Sequence, residues 1–280
     1  MAVKDIRLQD VLRVLTPIWD DKTGTAVKVR ERLEKVLAYA TVQGHRTGDN
    51  PARWKGNLDM VLAMPGKVSG AKNYAALQLD DMARWWHALQ GREGMGAKAS
   101  AFQAMTATRS GAIRFATWEE INLETRLWTI QPGRQSSKIH ASDTAKRIPL
   151  TNSMVALPDN LPRLKGSNLV FWSPRGGALS DAAMGKIMRV IHEANLASGA
   201  KGFVDAKTAE QAVPHGLRSA FRTWVADRTS FDGDLAEVAL FHKVGNKVAQ
   251  AYNRADQVEK RRHMMAAWGE FVQGIEHNDN

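Results

Sequence analysis

The chain has 280 residues and no cysteine, and its 39 basic and 29 acidic residues give a formal net charge of +10 and a pI of about 9.9. The lack of cysteine excludes disulfides, thiol nucleophiles and thiolate metal sites. No stretch approaches the roughly 18–20 apolar residues that a membrane span needs, and the first residues lack the apolar core of a signal peptide. We therefore expect a cytoplasmic protein. Its charge favours an anionic partner, most commonly nucleic acid, with an anionic membrane surface as the alternative.

The first 65 residues predict a small helical domain. Apolar residues recur at helical spacing from Leu8 to Trp19 and from Thr25 to Gln43, and a third short helix is expected from Asn57 to Ala63. The opposite face of the second helix holds four basic residues: Lys28, Arg30, Arg32 and Lys35. Because Glu31 and Glu34 are interleaved with them, the charge pattern fits a solvated, ion-paired surface as well as it fits a DNA-contacting one.

Residues 66–76 have linker composition, beginning with Pro65-Gly66-Lys67-Val68-Ser69-Gly70. Residues 77–280 predict a larger domain. Its expected helices are Asp80 to Leu89, Lys98 to Thr108, Asp181 to Ala197, Leu217 to Asp227, Leu235 to Leu240, Lys247 to Tyr252 and Val258 to Val272. Strands are expected at Leu127 to Ile130 and Lys146 to Leu150, with an edge strand around Arg114 to Trp118. The predicted fold is mainly α with a small antiparallel β-sheet (α+β).

Three separated segments carry residues suited to attack on a phosphodiester. They are Arg109, the motif His215-Gly216-Leu217-Arg218, and a histidine, His242, followed ten residues later by Tyr252. Such a reaction needs a positioned oxygen nucleophile, fixed positive charge on the non-bridging oxygens and a proton for the leaving oxygen. Arginine suits the charge role because its planar fork donates two parallel hydrogen bonds, and histidine exchanges protons near neutral pH. The scheme requires no metal and no other cofactor.

This order of residues resembles the catalytic signature of tyrosine recombinases, and the whole chain resembles the P4-like integrases of prophages and genomic islands. Further matching segments are Thr16-Pro17-Ile18-Trp19, Asp49-Asn50-Pro51-Ala52-Arg53-Trp54, Trp118-Glu119-Glu120-Ile121, Ile148-Pro149-Leu150 and Arg262-His263-Met264-Met265. The resemblance implies a helical core-binding domain followed by a recombinase catalytic domain. It favours DNA contact by the basic face of the second helix.

The resemblance also implies the role of each residue. Tyr252 is the expected nucleophile, Arg109 and Arg218 clamp the phosphate, and His215 and His242 transfer protons or donate hydrogen bonds. The family places a catalytic lysine in a turn between two strands. Lys138 is the expected residue here, with Arg134 and Lys146 as alternatives because the turn is long.

The expected activity is site-specific integration or excision of a mobile element through a 3′-phosphotyrosine intermediate. The partners implied are double-stranded core sites, a homotetramer on DNA that is a monomer in solution, and DNA-bending accessory proteins. No membrane partner is expected. The family also passes its C-terminal segment between neighbours, and the apolar residues Met264, Met265, Ala266, Trp268, Phe271 and Val272 suit that contact or an intramolecular core equally.

Three features leave alternatives open. The family carries an N-terminal arm-binding domain that this sequence lacks, so we expect core-site binding and cleavage without arm-site binding. Ala112 stands where an acidic residue is common, and Phe241 stands where a small residue is usual. A type IB topoisomerase-like relaxing enzyme and a catalytically inactive DNA-binding relative are therefore the alternative functions.

Overall fold

The structure is a computed structural model that describes residues 1–68, 74–136, 139–140, 143–242, 244 and 256–275. The chain divides into two compact units, Met1–Asn73 and Tyr74–Asn280. Within the described residues, helices dominate and the one sheet has three antiparallel strands. The prediction of a mainly α fold with a small antiparallel sheet is confirmed. No helix in this part of the chain is long and apolar enough to cross a bilayer.

Unit 1 is built on two helices, α1 (Leu8–Trp19) and α2 (Thr23–Val42), which pack against each other. The side chain of Trp19 stacks on Trp54, with ring centroids 5.6 Å apart. The third helix predicted from Asn57 to Ala63 is only a 3-10 turn, Leu58–Met60, which buries Leu58 in the core of the unit. The backbone N–H of Asn57 donates to the Asp59 carboxylate at 3.0 Å, a local bond that competes with helix formation. A four-residue helix, α3 (Pro65–Val68), follows within the predicted linker.

Arg30 does not share the exposed face of α2 on which the sequence pattern placed it. Lys28, Arg32 and Lys35 are exposed, but Arg30 is only 9% exposed. Its guanidinium contacts Glu34 at 2.5 Å and donates to the backbone oxygen of Ala52 at 3.2 Å. Arg30 lies four residues after the buried Ala26, so it occupies the inward stripe of the helix and holds the following loop.

Unit 2 contains the remaining helices and all three strands. The helices are α4 (Met82–Gln90), α5 (Met95–Thr106), α6 (Ser110–Arg114), α7 (Asn152–Asp159), α8 (Ala183–Ala197), α9 (Gly216–Arg228), α10 (Gly233–Ala239) and α11 (Val258–Gln273). The strands are β1 (Ile121–Asn122), β2 (Leu127–Ile130) and β3 (Lys146–Pro149). The short helices α6 and α7 were not predicted, and the predicted helix at 247–252 lies outside the described residues.

The core of unit 2 surrounds α5, whose residues from Ala99 to Thr106 are all buried. Helix α11 packs on α4, α5, α10 and β3, and its Trp268 donates to the backbone oxygen of Ala104 at 2.7 Å. Met264, Met265 and Val272 are buried in the same core. In this single chain, the apolar residues of α11 therefore pack intramolecularly.

The sheet has the order β1-β2-β3, with Trp128 paired to Ile121 on one side and to Ile148 on the other. The edge strand predicted around Arg114 to Trp118 is wrong. Arg114 ends α6, and Thr117 caps a 3-10 turn, Trp118–Glu120, through a reciprocal pair of contacts with Glu120. Because this capped turn takes up the segment, the edge strand starts only at Ile121.

Candidate active site

The described candidate residues come from three places in unit 2. Arg109 is half-buried and directly precedes α6, His215 and Arg218 lie at the start of α9, and His242 follows the end of α10. Arg109 and Arg218 are close enough for the charge of one to lower the pKa of the other. Tyr252 and Lys138 lie outside the described residues, and the described part of the site consists of Arg109, His215, Arg218 and His242.

Arg218 is held in place by the backbone of two other segments. It is 3% exposed, and it donates to the backbone oxygens of Ala107 at 2.8 Å and Leu240 at 2.7 Å. Its Nη2 also lies 3.2 Å from Nε2 of His242. A guanidinium has five N–H donors, and these contacts with described residues use three of them. The other two donors have no hydrogen-bond partner among the described residues, and they could bind an anion.

The electrostatic environment of the two arginines is unusual for a protein interior. Burial and the positive charge of Arg109 lower the pKa of Arg218 to about 9, against an opposing effect of Glu237. Burial also lowers the pKa of Arg109. Both side chains stay protonated at neutral pH, and no hydrogen bond joins the Arg109 guanidinium to another described residue. The two positive charges repel each other, and an anion bound near both would offset that repulsion.

His242 is positioned by a Schellman turn at the end of α10. The N–H of His242 donates to the backbone oxygen of Glu237 at 2.9 Å, and that of Phe241 donates to Val238 at 3.0 Å. This geometry places Phe241 in the left-handed region, with φ of 59°, where glycine is the usual residue. The requirement for a left-handed backbone explains why a small residue suits this position. Phe241 nevertheless packs on the core of the unit.

The same turn brings the carboxylate of Glu237 to the histidine ring. Nδ1 of His242 lies 2.6 Å from one carboxylate oxygen, and Nε of Arg222 donates to the other at 2.6 Å. Burial acts to raise the pKa of Glu237, but hydrogen bonds from His242 and Arg222 outweigh it and leave the pKa below its ordinary value. An ionised Glu237 accepts a hydrogen bond from the Nδ1–H of His242, which leaves Nε2 as an acceptor for Arg218.

His215 is the residue before the first turn of α9, and its ring packs on Tyr74 with centroids 4.2 Å apart. The next residue, Gly216, lies against the backbone of the same segment. A Cβ added there would be 2.8 Å from Ala75 C and from Ala76 Cα, and closer still to Ala75 O. The motif therefore needs glycine between its histidine and arginine so that α9 can approach residues 74–76.

Gln103 links the two segments that carry Arg109 and Arg218 through hydrogen bonds to both. Its side chain is fully buried in α5, and its amide nitrogen donates to the backbone oxygens of Thr108 at 3.1 Å and Pro214 at 3.2 Å. These carbonyls belong to the residues directly before Arg109 and His215. One amide group thus fixes the spacing of two segments that are more than a hundred residues apart in sequence.

The start of the β2–β3 turn is anchored by Arg134, one of the alternatives to Lys138. Arg134 donates to the backbone oxygen of Ala112 at 2.9 Å and pairs with Glu120 at 2.9 Å. Burial raises the pKa of Glu120, although a hydrogen bond from Trp128 and the charge of Arg134 act in the opposite direction. Arg134 is thus engaged in the protein interior. Lys146, the other alternative, lies in β3 opposite Ile130.

Glu237 and Gln103 are functional candidates that the motif order did not reveal. Gln103 had a sequence signal, since it is a polar residue among the apolar residues Phe102, Ala104 and Met105 of one helix. Glu237 had only its spacing of five residues before His242. Among the described residues, no three histidine, aspartate or glutamate side chains converge to hold a metal ion.

Comparison with known proteins finds similarity to integrases. Residues 1–57 match the family model of the phage integrase central domain. The prophage integrase IntA of Escherichia coli K12 is 25% identical over 99% of this chain and 61% of its own length. The integrase of Enterobacteria phage P4 is 26% identical over 96% of this chain and 60% of its own length. The chain thus spans about three fifths of these relatives.

Solved structures of integrases share the fold. A lambda integrase fragment, crystallised as a dimer bound to a COC′ core site, superimposes with a TM-score of 0.56 and 20% identity, covering 92% of this chain and 82% of that one. Lambda integrase as a tetramer bound to a Holliday junction gives a TM-score of 0.56 and 19% identity, covering 87% of this chain and 66% of that one. At this level of identity, the likeness establishes the fold.

Proposed function

We propose that this chain belongs to the phage integrase family and is a site-specific DNA recombinase that cleaves and rejoins strands through a 3′-phosphotyrosine at Tyr252. The observation that carries the proposal is the pair of protonated arginines, Arg109 and Arg218, with His242 in contact with Arg218. Two protonated arginines near each other, one with two donors to spare, make a site for a dianionic or monoanionic oxyanion such as a phosphodiester. The relatives are integrases, which supports a DNA phosphodiester as that anion.

In the proposed mechanism, the phenolic oxygen of Tyr252 attacks the scissile phosphorus while the bond to the 5′ oxygen breaks. Lys138 gives its proton to that departing oxygen, and the phenolic proton leaves to a neighbouring base. Arg109 and Arg218 neutralise the charge that grows on the non-bridging oxygens, and His215 donates a hydrogen bond to them. His242 accepts a hydrogen bond from Arg218 through Nε2 and so helps to orient its fork. The buried carbonyls that hold Arg218 keep its fork oriented before the substrate arrives, so little reorganisation is needed during reaction.

The phosphotyrosine retains the energy of the broken phosphodiester, so the 5′-hydroxyl of a partner strand can reseal the chain without ATP. Exchange between duplexes requires two DNA segments and four protomers, and the tetrameric lambda integrase complex supports that assembly here. We assign core-site binding to unit 1, which contains the family's central domain, and chemistry to unit 2. Action on the bacterial nucleoid, with DNA-bending proteins as accessories, completes the proposal.

The test is incubation of the protein with a nicked suicide DNA that carries the core site from the ends of its mobile element. Denaturing gel electrophoresis then compares wild type with Tyr252→Phe. A covalent protein–DNA band in wild type alone supports the proposal. A non-covalent gel shift without any covalent band would contradict it and favour a protein that only binds DNA.

A second assay distinguishes recombination from relaxation. Two linear duplexes that each carry a core site should yield recombinant products, whose appearance requires a synaptic complex. Removal of supercoils from a plasmid without recombinant products would identify a relaxing enzyme with the same nucleophile.

A further inference from the structure

A cluster of three charged residues joins β3 to the beginning of α11. Arg147 of β3 makes a bidentate ion pair with Asp256, with distances of 2.6 and 2.7 Å. Arg261 of α11 donates to the backbone oxygen of Asp256 at 2.6 Å and to that of Arg147 at 2.8 Å. The three residues are called the Arg147 clamp below. It ties both the side chain and the backbone of residue 256 to the strand.

The clamp carries two positive charges and one negative charge, and each of the three side chains has a defined partner. Arg261 is 2% exposed, and burial lowers its pKa to about 10, so it is still protonated at neutral pH. Burial acts to raise the pKa of Asp256, but the hydrogen bond from Arg147 and the charge of Arg261 leave it below the ordinary value. A buried cation is tolerated only beside a fixed partner. Because Arg261 takes Asp256 as that partner, it favours one position of residue 256.

The clamp is close in sequence to the proposed nucleophile. Asp256 follows Tyr252 by four residues, and four residues of fully extended chain reach about 14 Å at most. On the other side of Tyr252, the first anchored residue is His242, and ten residues reach about 35 Å. Of these two anchors, the Arg147 clamp therefore restricts the nucleophile far more tightly.

We propose that Arg147 and Asp256 are positioning residues for Tyr252, acting through the anchor that they form at residue 256. This inference rests on the proposed function. A buried arginine that bridges two backbone oxygens and a bidentate ion pair to the same residue together restrain Asp256 more than packing of α11 alone. Loss of such positioning slows a reaction by about 10- to 100-fold for displacements near 1 Å.

The experiment measures the single-turnover rate of covalent complex formation on the nicked suicide DNA for Arg147→Ala, Asp256→Ala and the double variant. Each single variant should be slower by about 10- to 100-fold, and the double variant should be no slower than either, because the pair acts as one unit. Arg228→Ala is the matched control. Arg228 makes a 2.7 Å ion pair with Asp80, and its side chain is 52% exposed, against 49% for Arg147. Its rate should equal that of wild type.

Two further measurements separate positioning from other effects. Non-covalent affinity for the same DNA, measured with the Tyr252→Phe background, should not change. A substrate with sulfur as the bridging 5′ atom needs no proton donor, because thiols have a pKa near ~8.5. It should not restore the Arg147→Ala rate if the nucleophile is misplaced.

Several results would overturn the inference. The first three are a wild-type rate in Arg147→Ala, additive losses of rate in the double variant, and an equal loss of rate in Arg228→Ala. A loss of DNA affinity that matches the loss of rate would also overturn it. So would full rescue by the sulfur substrate, because that result would place the defect at the proton donor in the β2–β3 turn. These outcomes all presuppose a covalent band in wild type. Its absence would count against the proposed function instead.

Discussion

Substitution of Gly216 by alanine tests how the histidine–arginine motif is built. Alanine normally stabilises a helix by about 1 kcal/mol relative to glycine, so helix propensity predicts a more stable protein. At the start of α9, however, the new Cβ would lie 2.8 Å from Ala75 C and Ala76 Cα, both of which are backbone atoms. Real Cβ contacts are essentially never shorter than 3.0 Å, so residues 75 and 76 must move.

Movement of residues 75 and 76 lowers the free energy of unfolding by an amount that follows from the contacts they make. The backbone oxygen of Ala75 accepts a hydrogen bond from Val213 at 3.1 Å, and the N–H of Ala76 donates to Asp205 at 2.8 Å. Overpacking of this kind costs about 1–3 kcal/mol, and one weakened hydrogen bond adds about 1 kcal/mol. After the gain in propensity, we expect a net loss of about 2 kcal/mol for Gly216→Ala. For a unit of roughly 200 residues, this lowers Tm by about 4–8 °C.

The assay is thermal unfolding followed by circular dichroism and calorimetry, with Gly185→Ala as the control. Gly185 lies in α8, and a Cβ added there meets nothing within 4 Å. Because only propensity acts at this site, Gly185→Ala should raise Tm by about 2–4 °C. A Gly216→Ala protein that melts at or above the wild-type temperature would refute the reasoning.

Three further predictions follow from buried or paired charges. The pKa of Glu237 is lower in the folded chain than its ordinary value. Ionised Glu237 therefore stabilises the fold above the ordinary carboxylate pKa of ~4.3, and this stabilisation is lost as the pH falls through the pKa of Glu237 in the folded chain. Wild type should therefore lose Tm more steeply than Glu237→Gln in that acid range, and parallel pH profiles would contradict the assignment. Arg134→Ala leaves Glu120 buried without its ion-pair partner, so the free energy of unfolding measured with denaturant should fall by about 3–5 kcal/mol. Adding Glu120→Gln in a double variant should restore part of that loss. An unchanged unfolding midpoint in Arg134→Ala would argue against this ion pair. Lys28→Ala should reduce the slope of log affinity for DNA against log salt by about 0.9, whereas Arg30→Ala should lower thermal stability and leave that slope unchanged.

Local patterns in the sequence predicted most of the helices. Apolar spacing located α1 to the residue, and α9 and α11 to within one residue at each end, because these helices bury one stripe each and the stripe repeats every 3.6 residues. Short elements were less predictable. The helix expected at Asn57 was reduced to one turn, and the strand expected at Thr117 became a capped 3-10 turn, because side-chain bonds to nearby backbone decided both.

The order of Arg109, His215, Arg218 and His242 could be read from the sequence, and with it the proposed family and the proposed class of chemistry. Which atoms hold those side chains was decided only by the tertiary structure. Arg218 takes its partners from Ala107 and Leu240, which are 111 and 22 residues away. The charge pattern predicted Arg30 to be a surface residue, but in the structure it is buried and donates to the backbone oxygen of Ala52. Hydrophobic periodicity reports which face of an element is buried, but the pairing of polar groups depends on long-range packing that no local pattern contains.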